Sequence, residues 1–202
     1  MRQGFRTCAA WGLAIITAGW SCNLNAAEPL RLILIVNDEV RLPAQLLQDA
    51  REVAARIFRH ADVDIVWFAA HDAIAQEPAA TKTISEWEFR NARYVVRIAA
   101  NAAGRSPSSA LGFTMEGTRV TTVVHSRVEQ LARGAREDLG IVLGHVMAHE
   151  LGHLLLRRAA HSLGGLMQTS LDVERAGRGV LLFTDAEEAA IRASLSAPVG
   201  RP

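Results

Sequence analysis

The stretch from Asp138 to Arg157, DLGIVLGHVMAHELGHLLLR, constrains this chain more than any other. It reads as one helix despite Gly140, Gly144 and Gly152, and it is apolar on nearly every side. Ile141, Val142, Leu143, Val146 and Met147 precede His149-Glu150, and Leu151, Leu154, Leu155 and Leu156 surround and follow His153. A helix that is apolar all round is buried. An interior does not retain two imidazoles and a carboxylate unless something satisfies them. The alternative, a helix that carries two surface histidines by coincidence, does not suit such flanks.

The spacing His149-Glu150-Leu151-Gly152-His153 supplies the partner. Histidines four apart lie on one face of a helix with a rise of about 6 Å between them, so both rings reach a single ion. Glu150 then sits beside a metal-bound water without being a ligand. A zinc ion in that position lowers the pKa of water toward ~7, and the carboxylate takes its proton. A catalytic zinc needs a third protein ligand and an open fourth position. His161, eight residues beyond His153, reaches the metal if the chain reverses after Arg157. Asp172 and Glu174 are the alternatives from a later helix. His145 precedes His149 by one turn. Three histidines at i, i+4 and i+8 span about 12 Å of axis, however, so His145 is expected to pack or hydrogen-bond beside the site. His60, His71 and His125 are isolated and read as ordinary.

The rest of the chain supplies a sheet early and helices late, an α+β arrangement. Leu30 to Val36 is a continuous branched apolar run and reads as a buried strand. Pro43 opens an amphipathic helix to about His60, and Asp64 to Phe68 forms a second strand. Strand–helix–strand favours a parallel pair. Further strands are expected at Tyr94 to Ala99, Leu111 to Met115 and Arg119 to His125, then a short helix to about Ala132. Residues 158–183 read as irregular, and Thr184 with Glu187 forms a capping box for a last helix to about Ser196.

The first 27 residues read as a secretory signal: Arg2 and Arg6, an apolar run from Cys8 to Trp20, then Ala26-Ala27 as the cleavage site. The run is short for a membrane span, although an uncleaved anchor is the alternative. Arg2 and Arg6 leave with the signal, so 22 basic residues fall to 20 against 21 acidic ones, a net charge of −1. That balance argues against a nucleic-acid binder. Cys8 and Cys22 leave as well, so the exported domain, residues 28–202, relies on its core or on a metal in place of disulfides. No membrane association is expected after cleavage, and the sequence does not fix an oligomeric state.

His149 to Met167, HELGHLLLRRAAHSLGGLM, resembles the metzincin zinc peptidases, and within them the matrixin-like branch. That family carries HExxHxxGxxH followed by a methionine turn beneath the metal. His161-Ser162 and Gly165-Leu166-Met167 match the third ligand with its serine and the methionine turn. The segment is most similar to small exported bacterial proteins with an HExGHLLL…HSxxGxM pattern. Strictly aligned, the family glycine falls at Leu156 and the third histidine at Ala159, so His161 implies a two-residue insertion. No tyrosine follows Met167, and nothing in the sequence places Tyr94 at the site.

The resemblance implies a metzincin-like fold: an early mixed sheet with a packed helix, the active-site helix, the methionine turn and a C-terminal helix. It divides the domain into an upper lobe at about 28–153 and a short lower lobe at about 154–202. His149, His153 and His161 would bind Zn²⁺, Glu150 would activate water, and Met167 would form a structural floor. Peptide or protein substrate would lie along an edge strand near Leu111 to Met115. The expected activity is that of an exported zinc endopeptidase. A zinc hydrolase of a non-peptide amide and a non-catalytic zinc-stabilised binding domain are the alternatives.

Overall fold

Branched residues along a strand place two apolar faces back to back, and the first such strand, β1 (Leu30–Asp38), is buried from Leu32 to Val36. The computed structural model describes residues 30–70, 93–102, 109–115, 117–157 and 161–197. The leader, both cysteines and His71 lie outside these residues. Strands β2 (Val63–Ala69), β3 (Arg93–Ala99), β4 (Gly112–Thr114) and β5 (Val120–Val124) complete a five-stranded sheet in the order β2-β1-β3-β5-β4. β1 runs parallel to both β2 and β3, and β3 parallel to β5. Only β4 is antiparallel, pairing with β5 at one edge. The sheet is therefore mixed, and the parallel β1–β2 pair follows from the helix that joins them.

That helix, α1 (Ala44–His60), presents Ala50, Val53, Ala54, Ile57 and Phe58 to the sheet. They meet Leu32 and Leu34 of β1, Val63, Val96 and Val123 in one core. Among the described residues four further helices follow: α2 (His125–Ala135), α3 (Leu139–Leu156), α4 (Val173–Gly177) and α5 (Asp185–Ser196). His125 begins α2; the sequence pattern had it ending the preceding strand, but β5 stops at Val124. The short helix α4 falls within 158–183, where the pattern suggested no regular element. Asp172 caps it by accepting the Arg175 N–H at 3.0 Å. Five residues carry too little periodicity to be read from sequence.

Helix α3 is the pillar. It touches α1, α2, α4, α5, β4 and β5. By length and composition it is apolar enough to cross a membrane, yet 72% of it is buried inside the protein. Asp138 caps its N-terminus by accepting the Ile141 N–H at 3.0 Å. At the other end Arg157 turns the chain out of the helix in the left-handed conformation, φ 50°. A left-handed residue just past the last turn is a common helix stop, made here by an arginine where glycine is the usual choice.

The α3 glycines are explained by close approach. A Cβ on Gly144 would lie 2.6 Å from the Ala50 carbonyl oxygen and 2.6 Å from Val53 Cβ, so α1 and α3 cross with backbone nearly in contact. Alanine is intrinsically the better helix former by about 1 kcal/mol. Overpacking here dominates, because the obstruction on α1 includes backbone. We expect Gly144→Ala to lower the stability to urea unfolding by about 1–3 kcal/mol. An unchanged or higher midpoint would show that the crossing can open.

Candidate metal centre

Helix α3 places His149 and His153 one turn apart, and His161 lies at the same point. Each of the three offers one ring nitrogen, and these nitrogens all lie within 4.8 Å of one another. The ring centroids are separated by 4.8, 4.9 and 5.3 Å. His149 and His153 are half-buried and His161 is exposed, so the group opens to solvent on one side. Asp172 is not part of it; its carboxylate is committed to the α4 cap. Glu174 is also elsewhere, solvent-exposed beside Arg178. His145 is 1% exposed and its Nδ1 lies 2.8 Å from the Ile141 carbonyl, one turn back along α3. Burial lowers its pKa, which keeps it a neutral core side chain. His60 ends α1 in an exposed position and His125 begins α2.

The tautomers suit a cation. His149 Nδ1 lies 2.8 Å from the Leu166 carbonyl oxygen, which can only accept, so Nδ1 carries the proton and Nε2 presents its lone pair. Nε2 of His153 is 3.1 Å from Nε2 of His149. Two lone pairs do not face each other at that distance without a proton or a cation between them. Ligand bonds of about 2.0–2.1 Å at a tetrahedral angle put two nitrogens about 3.3 Å apart, so the spacing fits an ion. Burial pushes the His149 imidazole down to about 4, helped by its two histidine neighbours and opposed by the Leu166 hydrogen bond. It is therefore neutral, the form that binds metal, throughout the physiological range. Three imidazoles with an open fourth position support Zn²⁺ as the ion.

Beneath the histidines, Met167 is fully buried. Its sulfur fills the space that a side chain on Gly152 would need, and Phe183 Cε1 would be 3.0 Å from that Cβ. The glycine between the two α3 histidines is thus where the methionine enters.

Glu150, next to His149 on α3, faces the sheet edge. It is 5% exposed. The Thr114 and Thr121 hydroxyls lie 3.4 and 3.5 Å from its Oε2, and Thr114 Oγ1 also lies 3.2 Å from the Glu150 carbonyl oxygen. Thr114 and Thr121 are direct partners across the β4–β5 ladder, so their side chains share a face. Gly112, two residues along the same face, leaves room: a Cβ there would be 2.7 Å from both Cγ and Cδ of Glu150. Desolvation raises the Glu150 carboxyl to about 7, against the lowering effect of the two hydroxyls. Gly112, Thr114 and Thr121 are the site residues that sequence reasoning misses. A Gly-x-Thr alternation in a short strand was visible, but nothing in it says which helix the strand will face.

No protein-family model and no curated protein matches the sequence. Among solved structures, the fold is similar to that of a zinc-dependent peptidase from Methanocorpusculum labreanum, with a TM-score of 0.55 at 13% identity. That alignment covers 79% of this chain and 99% of that one. An archaemetzincin from Methanopyrus kandleri aligns with a TM-score of 0.48 at 17% identity, over 85% of this chain and 98% of that one. The first likeness is one of fold.

The two shifted groups act oppositely on the metal-free protein. His149 falls from 6.5 to about 4 on folding, so its contribution to stability grows as pH rises between those values. Glu150 rises from 4.5 to about 7, so its contribution is lost as pH rises through that window. Between pH 4.5 and 6.5 the two offset each other in the parent. Metal-free Glu150→Gln keeps only the histidine effect and should gain stability across that range in urea unfolding. A variant that follows the parent's pH course would show that Glu150 is not held protonated.

Proposed function

We propose that this protein is an exported zinc-dependent endopeptidase of metzincin type, its 161–167 segment matrixin-like. The observation that carries the reading is the pairing of a three-imidazole cluster with a buried carboxylate on the same helix, the carboxylate backed by an edge strand. The histidines His149, His153 and His161 would hold Zn²⁺. When bound, zinc supplies a Lewis acid that polarises a carbonyl and makes water more acidic.

The chain's own residues do the rest. Glu150 is the general base: it takes a proton from the attacking water and returns it to the leaving amine. A carboxyl that sits near 7 without metal is drawn down by a neighbouring dication, so it is ionised and ready to accept at neutral pH. Both threonine hydroxyls address Oε2, which leaves Oε1 to face the water. Met167 is a floor that keeps the histidine-bearing helix at a fixed depth and takes no part in proton transfer. The outer side of β4 supports antiparallel addition of an extended peptide, with backbone hydrogen bonds holding it largely without regard to sequence. Residues 1–27 would direct export and then be removed.

The purified protein is expected to carry close to one zinc per chain. His161→Ala should lose or greatly weaken metal binding. Glu150→Ala should keep the metal and lower cleavage of a mixed peptide pool by about 10²–10⁴-fold. Zinc bound with full affinity by His161→Ala would sink the ligand set. Stoichiometric zinc without cleavage of any peptide would return the function to a non-peptide amide or a structural metal.

A further inference from the structure

A capping-box glutamate normally sits at the solvent-exposed start of a helix. Glu187 of α5 is 2% exposed. Its Oε2 accepts the Thr184 N–H at 2.8 Å, while its own N–H donates to Thr184 Oγ1 at 3.4 Å, which completes the cap. A buried carboxylate has a second oxygen to satisfy. Glu187 Oε1 accepts the hydroxyl of Ser162, the residue next to His161.

The segment that Ser162 belongs to is clamped at several points. Ser162 N–H donates to the Met167 carbonyl at 2.8 Å, and Leu166 N–H to the Leu182 carbonyl at 2.7 Å. Gly165, at φ 73°, leaves room for Thr184 Cγ2, which would be 2.9 Å from a Cβ there. Leu166 O receives His149 Nδ1–H. His161 itself is exposed, and its ring meets those of His149 and His153 at centroid distances of 5.3 and 4.9 Å. The backbone from Ser162 onward fixes where it leaves the chain. The Ser162 hydroxyl bond to Glu187 is the anchor immediately beside it.

We propose that Glu187 is a positioning residue for the metal centre: through the Ser162 hydroxyl, α5 aims His161 at His149 and His153. This rests on the reading of His161 as the third ligand. Glu187 thereby joins the cap of the last helix to the least buried member of the metal group.

The test measures zinc affinity by chelator competition, the visible spectrum of the cobalt-substituted protein, and thermal unfolding of the metal-free protein. Ser162→Ala removes the anchor and leaves the capping box; Thr184→Ala removes the cap's hydroxyl and leaves the anchor. We expect Ser162→Ala and Glu187→Ala to weaken zinc binding about 10–100-fold, the range found when the outer partners of metal ligands are lost. The cobalt spectrum should shift with them. In a His161→Ala background neither change should weaken binding further, because the two act through the same ligand. Thr184→Ala should lower the unfolding temperature with zinc affinity within about twofold of the parent. Unchanged affinity in Ser162→Ala, or an equal loss with and without His161, would reduce Glu187 to a helix cap and overturn the proposal. If His161→Ala alone binds zinc as the parent does, the ligand assignment fails first, and the positioning role falls with it. Ser162→Ala deletes one hydroxyl, so the test stands even if Glu187→Ala does not fold.

Discussion

A helix buried on almost every side has no solvent to offer its polar side chains, and that constraint on α3 organises the surrounding structure. Each of its polar groups is answered by a different part of the chain. His145 turns back on the Ile141 carbonyl. His149 reaches forward to Leu166. Glu150 is met by hydroxyls from β4 and β5. A buried polar group without a partner costs roughly 1–3 kcal/mol, so each contact is needed for the fold as well as for chemistry. The core helix and the site are therefore one object.

The arrangement also sets two kinds of ionisable group side by side on one helix. The imidazoles cluster where the group opens to solvent, and the adjacent carboxylate is buried against the sheet edge. Burial affects the two in opposite senses: it keeps His149 neutral and able to bind a cation, and it keeps Glu150 reluctant to ionise until a cation is near. The same desolvation thus acts on the imidazole and on the carboxyl beside it. Met167 packs against α3 at Gly152, where a side chain would collide with its sulfur.

Much of this was legible along the chain because the relevant contacts are local. His149, Glu150 and His153 are within one turn of helix, and helical geometry alone puts the two imidazoles on one side. The α1 stripe, the parallel β1–β2 pair and the Thr184–Glu187 capping box follow from periodicity and spacing in the same way. The short helix α4 and the start of α2 at His125 did not, because a five-residue helix and a strand–helix junction carry little periodic signal.

The sequence by itself determined that a buried helix would carry two imidazoles and a carboxylate and that some partner must satisfy them. It left His161, Asp172 and Glu174 open as the third member, since chain separation does not tell where a turn ends. Only the tertiary structure decided that His161 joins His149 and His153 while Asp172 is spent on capping α4. It also decided that Gly112, Thr114 and Thr121 form the wall around Glu150, from 29 to 38 positions away in the chain. Likewise it turned Glu187 from a helix cap into a tie between α5 and Ser162. The physical reason is common to all three. Local spacing fixes which face of an element a residue occupies, whereas the neighbour that meets that face is chosen by how sheet, helix and turn pack together.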